Sequence, residues 1–382
     1  MNKAVIIGLF VVAIVAILGA TLFLGGSEGE PENKPAGKVE PKAQVTVSML
    51  YSTEKEDWIK SAVAGFAAAH PEIRLDLKGM GSFKAAEAIL DGAEKPTVFS
   101  PSDTLAMNLL AADWDAKHHT PLFAGTPEPL VITPLVFVIW EERAQVLQQA
   151  GGVNWKTIHQ AVASNQGWPA VGGKADWGFV KLGHTDPTQS NSGLQTLFLM
   201  SLDFYQKNAI SVGDVLDPKY QEWIGQVEKG VGKFETSSGT FMTDMVRFGP
   251  SKYDVAVVYE SLAISQLGNA QGRWGNLKVY YPSTTVWSDN PAAILQGATP
   301  EQQAAAKVWL EWLHGSAVQQ RALSYGFRPG DPAIPIKTAD ANNPFVKYAP
   351  YGVQVDIPPV ATMPEGAVVR NMMTMWSRVV GR

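Results

Sequence analysis

Small hydroxyl side chains cluster at three places where a predicted strand is followed by a predicted helix. Hydroxyl groups and the free N–H groups of a helix start can together hold an anion or a polar solute without a buried cation. The same residue types are the preferred N-caps of helices, so capping also explains each cluster taken alone. Three clusters at equivalent strand ends favour a binding site. The clusters are Ser52-Thr53, residues 100–104 (Ser-Pro-Ser-Asp-Thr) and residues 185–193 (Thr-Asp-Pro-Thr-Gln-Ser-Asn-Ser-Gly).

Other groups of residues offer weaker chemistry. The tyrosine pair at 280–281 could supply phenolates for iron, but Pro282 follows and the segment fits a hinge strand better. The histidine pair at 118–119 could bind a metal ion, although solvation in a loop explains it more simply. Residues 236–240 (Thr-Ser-Ser-Gly-Thr) suit either a phosphate-cradling loop or a glycine turn. Glu260 follows an apolar strand and could hold a ligand hydroxyl or a cation, pair across the two halves of the protein, or cap a helix.

Composition argues against several classes of function. The 382 residues carry a net charge of −5 and no basic stripe, which argues against nucleic-acid binding. The chain has no cysteine, which removes disulfides, thiolate metal sites and a lipidated cysteine. No Gly-x-Ser-x-Gly, His-Glu-x-x-His or Walker motif occurs. We therefore predict a binding protein with no catalytic residues, no metal site and no cofactor, and not an enzyme.

The beginning of the chain differs from the rest. Residues 4–24 are uncharged and mostly aliphatic, and as a helix they would span about 30 Å, the thickness of a bilayer core. A cleaved secretory signal has a shorter apolar stretch and a small-residue cleavage site, whereas residues 22–24 are Leu-Phe-Leu. We predict a transmembrane signal anchor at 1–24 with the bulk of the protein outside, and a cleaved signal is the alternative. Residues 25–43, rich in Gly, Pro, Glu and Lys, are predicted to be a flexible linker.

After the linker, strand and helix patterns alternate. This β-α rhythm predicts a parallel sheet covered by helices, with ligands bound at the carboxyl ends of the strands. The predicted strands of the first part are 44–51, 73–77 and 97–99, and its predicted helices are 54–69, 85–90 and 104–110.

A long apolar run at 130–140 exceeds an ordinary strand, and the alternating pattern restarts behind it. The elements predicted there are helices at 155–163 and 194–205, strands at 179–182, 255–259 and 278–281, and one long helix at 301–325.

Residues 279–295, the helix after them and the Tyr-Gly-Phe-Arg-Pro segment at 325–329 carry a resemblance to a known family. They look like the carboxyl-terminal half of the type II extracellular (periplasmic) solute-binding proteins of bacterial ABC transporters, nearest to the molybdate-binding-like branch. Three more segments are similar to ligand loops of that family: residues 98–103, 185–193 and 258–261. The order of these motifs along residues 44–335 is more specific than any one of them. The apparent membrane helix, the missing cysteine and the long tail at 333–382 depart from the family pattern.

The resemblance implies an α/β fold with two lobes joined by two crossings, a ligand in the cleft and hinge closure around it. The predicted first lobe comprises 44–133 and 287–382, and the second comprises 134–286. The crossings are the run at 130–140 and the segment at 279–287. The ligand-binding residues predicted for this cleft are Ser52, Thr53, Ser100 and Ser102 from lobe one and Ser190, Asn191, Ser192, Tyr259 and Glu260 from lobe two.

The function that follows is a membrane-tethered, extracytoplasmic solute-binding protein. Its expected ligand is a small polar solute or oxyanion, because neutral hydroxyls and helix-start N–H groups can replace the hydration shell of such a molecule. Its expected partner is an ABC-transporter permease or another membrane protein. The alternative is a sensor or assembly module that keeps the fold without a role in transport.

Overall fold

A computed structural model of the chain describes residues 44–381. The strands are β1 (Val45–Tyr51), β2 (Ile73–Gly79), β3 (Val98–Ser100), β4 (Glu128–Pro129), β5 (Val131–Trp140), β6 (Leu182–Gly183), β7 (Val255–Tyr259), β8 (Leu277–Tyr280), β9 (Thr285–Ser288), β10 (Pro291–Ile294), β11 (Arg328–Pro329) and β12 (Val360–Ala361). The helices are α1 (Glu56–Ala69), α2 (Ser82–Leu90), α3 (Thr104–His118), α4 (Glu141–Gln149), α5 (Trp155–Ala163), α6 (Asn191–Tyr205), α7 (Val212–Leu216), α8 (Pro218–Glu228), α9 (Ser238–Phe248), α10 (Glu260–Ala270), α11 (Pro300–His314), α12 (Ser316–Ser324), α13 (Pro344–Lys347) and α14 (Gly366–Val380). Short 3-10 turns lie at Thr53–Lys55, Trp168–Val171, Ala175–Trp177, Gly249–Ser251 and Ala349–Tyr351.

The first part of the chain builds sheet A, in the strand order β2-β1-β3-β10-β4. β1 pairs in parallel with β2 and β3, which confirms the predicted β-α rhythm, and β10 joins β3 antiparallel. Alternate side chains of β1 enter two different cores: Met49 packs with Trp58 and Trp309, and Leu50 packs with Met107. Sheet A is therefore covered by helices on both faces, and its parallel strands deliver their carboxyl ends to one edge.

Sheet B has the order β12-β9-β5-β7-β6, and β8 and β11 also pair with β5. Its central strand β5 is the long apolar run, which is antiparallel to β7, β8 and β9. All of β7 is buried, and α6 is buried along its first twelve residues, Asn191 to Leu202. Such a helix needs cover on every side, and it lies in the core of sheet B.

The chain passes between the sheets at residues 129–131 and 288–291, next to the segments 130–140 and 279–287 that were predicted as crossings. β4 of sheet A is followed by β5 of sheet B, and β9 of sheet B is followed by β10 of sheet A. The tail then crosses again, because β11 pairs with the start of β5 and β12 pairs with β9. The last helix, α14, contributes Val369, Met372 and Trp376 to the core of sheet B.

Two predicted elements differ from the structure. The single helix expected at 301–325 is two helices, α11 and α12, because Gly315 between them is extended, with φ −59° and ψ 137°. Glycine has little preference for the helical conformation, so it ends one helix and starts the next at small cost. The strand expected at 179–182 is reduced to Leu182–Gly183, and Phe179 is 65% exposed.

The predicted anchor at 1–24 and linker at 25–43 lie outside the described residues. Among residues 44–381, none of the helices combines the length and the hydrophobicity that a membrane crossing requires.

Candidate functional site

The predicted hydroxyl clusters meet where loops of sheet A face loops of sheet B. The N–H groups of Phe83 and Lys84, at the start of α2, donate to the carbonyl oxygen of Gln189 before α6, at 3.2 and 3.3 Å. The N–H group of Gly239, at the start of α9, donates to Thr53 Oγ1 at 3.4 Å. The facing loops are thus closed onto each other.

On the side of sheet A, β1 and β3 end next to each other and present buried serines. The N–H group of Ser52 donates to the carbonyl oxygen of Ser100 at 3.0 Å. Ser102 Oγ lies 2.9 Å from Ser82 Oγ, which also accepts from the N–H group of Ser102 at 3.1 Å. Each of these four serines is at most 2% exposed.

A lysine lies buried under these serines. Lys55 is 0% exposed, and its Nζ donates to Ser52 Oγ and, at 2.9 Å, to Asn290 Oδ1. Glu54, itself buried, lies 3.5 Å from Lys55 Nζ. Burial, partly offset by Glu54, lowers the pKa of Lys55 to about 8, so the ammonium is still charged at neutral pH. The expectation of a cradle without a buried cation is therefore not met on this side.

On the side of sheet B, hydroxyl groups form a connected cluster. Ser192 Oγ lies 2.7 Å from Thr185 Oγ1 and 2.7 Å from Ser238 Oγ. Ser190 Oγ is 3.4 Å from Ser192 Oγ and 3.5 Å from Ser238 Oγ. Ser190 is the N-cap residue of α6, yet its side chain accepts no capping hydrogen bond. Capping therefore does not explain Ser190. It does not explain Ser52 either, because Ser52 is an N-cap residue whose side chain makes no capping hydrogen bond.

Tyr259 and Asn191 lie between the two sides. The Tyr259 hydroxyl accepts a hydrogen bond from Asn191 Nδ2 at 3.3 Å, and Tyr259 is 1% exposed. Burial, and then the carboxylate of Glu54, raise the pKa of Tyr259, while a hydrogen bond with Ser102 opposes this. The phenol therefore stays protonated and can donate as well as accept.

Asp103 and Gln195 join the sheets by a buried hydrogen bond. Asp103 caps α3 by accepting from the N–H group of Leu105 at 2.6 Å, and its other oxygen accepts from Gln195 Nε2 of α6 at 3.0 Å. Gln195 Nε2 also donates to the carbonyl oxygen of Trp287 at 3.1 Å. Both neighbours of this nitrogen are acceptors, which fixes the orientation of the amide and leaves Gln195 Oε1 to point elsewhere.

Three buried polar atoms at this junction have no hydrogen-bond partner: Ser100 Oγ, Asn191 Oδ1 and Gln195 Oε1. The three residues are at most 1% exposed. An unpartnered buried polar atom costs about 1–3 kcal/mol, so folded proteins rarely keep one unless a ligand or a bound water satisfies it. Three such atoms among facing loops mark this junction as the candidate binding site.

Glu260 lies apart from this cluster in its contacts. Its two carboxylate oxygens accept hydrogen bonds from Arg328 Nε and Nη2, each at 2.8 Å, and Tyr281 also donates to it. Glu260 is 0% exposed and Arg328 is 3% exposed. Among the roles that the sequence left open, a pairing between the two predicted lobes fits these contacts, since Arg328 falls in predicted lobe one and Glu260 in predicted lobe two, although β11, which carries Arg328, pairs with β5 of sheet B.

The histidine pair at 118–119 and Tyr281 make contacts that stabilise the fold. His118 stacks on Trp114, with ring centroids 4.1 Å apart, and His119 ends α3 with φ 56°. Tyr281 donates to Glu260 and accepts from the N–H group of Gln354 at 3.1 Å. Within residues 44–381, no group of three or more His, Cys, Asp or Glu side chains is arranged to hold a metal ion.

The structure thus brings eight of the nine predicted site residues to one junction: Ser52, Thr53, Ser100, Ser102, Ser190, Asn191, Ser192 and Tyr259. Their binding of a solute stays a prediction. Sequence reasoning missed Ser82, Lys55 and Gln195, whereas Ser238 lies in the weaker candidate segment 236–240. Ser82 follows a strand in Gly-Met-Gly-Ser and had the same signal as the three clusters. Lys55 had none, because a lysine in the first turn of a helix resembles an ordinary solvated residue.

Asp103 gives the junction a pH dependence. Burial, and then Asp289, raise the pKa of Asp103 from 3.8 to about 7. The folded state therefore holds this proton more tightly than the unfolded state, so the contribution of Asp103 to stability is full below pH 4 and is lost as the pH rises to about 7. We expect the free energy of unfolding to fall by about 2–3 kcal/mol more between pH 5 and pH 8 in the natural protein than in Asp103→Asn. Urea denaturation at the two pH values measures this, and equal slopes in both proteins would contradict it.

Comparison with known families identifies the class of protein. A sequence profile described as "Bacterial extracellular solute-binding protein" matches residues 47–328. The chain belongs to this family, and it is a binding protein rather than an enzyme. No curated protein is significantly similar to it in sequence.

Solved structures show the same fold at low sequence identity. A periplasmic thiamin-binding protein superimposes with a TM-score of 0.63 at 14% identity, covering 89% of this chain and 97% of that one. A sulfate-binding protein of Mycobacterium tuberculosis H37Rv gives a TM-score of 0.56 at 15% identity, covering 86% and 96%. The substrate-binding protein of an ABC transporter from Agrobacterium tumefaciens gives 0.56 at 14% identity, covering 88% and 96%. The two-sheet α/β architecture is thus that of periplasmic binding proteins.

Proposed function

We propose that the chain binds a small polar solute between its two sheets and presents it to an ABC-type importer. The observation that carries this proposal is the set of three unpartnered buried atoms on Ser100, Asn191 and Gln195. They lie among loops from both sheets, as a ligand that closes a hinge would require. The solute-binding relatives of known structure, among them thiamin- and sulfate-binding proteins, support a small ligand without naming it.

We also propose two lobes that move against each other, with residues 44–133 and 287–382 as the first and 134–286 as the second. The packing of α14 in the core of sheet B argues for counting residues 366–380 with the second lobe. The soluble part would lie outside the cytoplasm, tethered by residues 1–24.

Two serine substitutions test the site. Ser100→Ala and Ser192→Ala each remove one hydroxyl from opposite sides of the junction. A lost hydrogen bond to a polar ligand costs about 1–2 kcal/mol, so each variant is expected to bind about five- to thirtyfold more weakly. A thermal-shift screen against oxyanions, sugars, amino acids and metal ions first identifies the ligand, which at 100 times its Kd adds about 2.7 kcal/mol of stability.

Exposed Ser316 at the start of α12 provides the control, because Ser316→Ala removes a hydroxyl far from the junction and should leave the affinity unchanged. Affinities of Ser100→Ala and Ser192→Ala within twofold of the natural protein would show that these hydroxyls bind no ligand.

A sensor or assembly module remains the second candidate function. The tail favours it, since residues 333–382 add a helix and a strand to sheet B beyond the matched segment 47–328. A protein partner that binds this added surface would favour the sensor or assembly module. Binding to an importer would favour the role in transport.

A further inference from the structure

A second space lies between the sheets, next to the hydroxyl clusters. It is a cavity of about 140 Å³, with Thr53, Glu54, Glu56, Asp57 and Trp58 on the side of sheet A and residues of α9 and α10 on the side of sheet B. A cavity of roughly this size can hold benzene, which points to a group of about six to eight non-hydrogen atoms. Trp58 and Tyr325 give it aromatic walls.

The charged side chains that line this cavity are all carboxylates: Glu54, Glu56 and Asp57, with no lysine, arginine or histidine among the lining residues. Lys55 partly neutralises Glu54 at 3.5 Å, and exposed Lys60 pairs with Glu56. The side chain of Asp57 has no ion-pair or hydrogen-bond partner among the described residues. The cavity wall therefore carries more negative than positive charge.

The phenol of Tyr51 lies in the negative potential of the same carboxylates. Burial, and then Glu56 and Asp57, raise the pKa of Tyr51 at the end of β1 to about 12. A negative potential disfavours the phenolate, and it would disfavour a bound oxyanion in the same way.

Ser261 gives independent evidence that a ligand group belongs in the cavity. The residue lines the cavity and is 1% exposed, yet its Oγ has no hydrogen-bond partner. Its backbone is held in place, because the N–H group of Ser261 donates to Thr133 Oγ1 at 3.0 Å. A hydroxyl fixed in this way can accept a hydrogen bond from a donor on the solute.

We propose that this cavity receives the positively charged group of the solute, and that the solute is a small organic cation such as an ammonium compound. This inference rests on the proposed function and names the class of its ligand. The carboxylates supply opposite charge, and the aromatic walls of Trp58 and Tyr325 suit a weakly hydrated cation. The unpartnered amide oxygens of Asn191 and Gln195 are acceptors only, so a donor-bearing solute satisfies them and a fully ionised oxyanion does not. The Ser261 hydroxyl can accept from such a donor as well.

Choline, a quaternary ammonium alcohol of matching size, is the probe. Thermal-shift titrations of the full chain with choline chloride, sodium sulfate and erythritol, at equal ionic strength, compare a cation, an oxyanion and a neutral polyol. Choline is expected to raise the melting temperature most. In Asp57→Asn, choline should bind about two- to fivefold more weakly, as expected for one partly solvated charge. In Ser261→Ala, the loss should be about five- to thirtyfold, as expected for one hydrogen bond from the choline hydroxyl, which is the single donor of the probe.

Asp76→Asn is the matched control, because Asp76 is an exposed carboxylate on β2 away from the cavity. Stabilisation by sulfate or erythritol but not by choline would overturn the cation inference and leave the proposed solute-binding function standing. Stabilisation by none of the three probes, nor by the wider solute panel, would overturn both. Unchanged choline affinity in the Asp57→Asn/Ser261→Ala double variant would overturn the assignment to this cavity.

Discussion

Replacing Arg328 by methionine is expected to lower the free energy of unfolding by about 3–5 kcal/mol, because it leaves a buried carboxylate without its cation. The guanidinium makes two hydrogen bonds of 2.8 Å to Glu260, and both side chains are at most 3% exposed. Arg328 also donates to the carbonyl oxygens of Gln354 and Val355, so the substitution frees the tail as well. Urea denaturation of Arg328→Met measures the loss.

Two further variants separate charge from packing. The double variant Glu260→Gln/Arg328→Met should be less destabilised than Arg328→Met, because no buried charge is left unpaired. Arg370→Met is the surface control: Arg370 pairs with Asp113 at 2.6 Å but is 51% exposed, so its loss should cost less than about 1 kcal/mol. Equal costs for Arg328→Met and Arg370→Met would show that burial of the first pair has no energetic consequence.

Replacing Gly81 by alanine is expected to hold the facing loops apart and to weaken solute binding at least about tenfold. A Cβ at this position would lie 2.6 Å from the carbonyl oxygen of Thr236 and 2.9 Å from that of Gln189. Backbone strain is not the reason, since Gly81 has φ −58° and ψ 140°, which alanine adopts freely. The clash exists only when the loops of sheet B press against those of sheet A. Solute binding that depends on this closure must therefore weaken.

Hydrogen exchange provides a direct measure of the open state. The amides of Phe83 and Lys84 donate to Gln189 across the junction, so they should exchange faster in Gly81→Ala. Gly297→Ala is the control. Gly297 follows β10 of sheet A, and a Cβ at this position meets nothing within 4 Å. Protection of both amides at the natural level in Gly81→Ala would mean that the loops accommodate the methyl group and stay closed.

The elements of sheet A were predictable because each has a local pattern. β1 and β2 alternate apolar and polar residues, and the helix expected at 54–69 appears as a 3-10 turn followed by α1. The long run at 130–140 gave β5, because a mostly apolar stretch rich in β-branched and aromatic residues favours a strand that is buried on both faces. Gly315 shows where prediction from local patterns ends. The apolar stripe continues past this residue, so only the backbone geometry reveals two helices.

The candidate site was predictable to the extent that it consists of side chains at strand ends. Ser52, Ser100 and Ser192 were found in this way. Gln195 was out of reach, because its role depends on Asp103, 92 residues away in sequence. The acidic cavity was missed for the same reason, since Glu54 in the 3-10 turn and Ser261 in α10 are 207 residues apart in sequence and meet only where they line the same space.

The two ends of the described chain belong to different sheets. β1 starts at Val45 in sheet A, whereas α14 ends the fold in the core of sheet B through Trp376. A donor and an acceptor fluorophore attached near residues 44 and 381 would therefore report the proposed motion of one sheet against the other as a change in energy transfer. The absence of native cysteine means that two introduced thiols would be the only sites labelled. The natural order of the chain thus makes the protein a ready scaffold for an optical sensor of its own ligand.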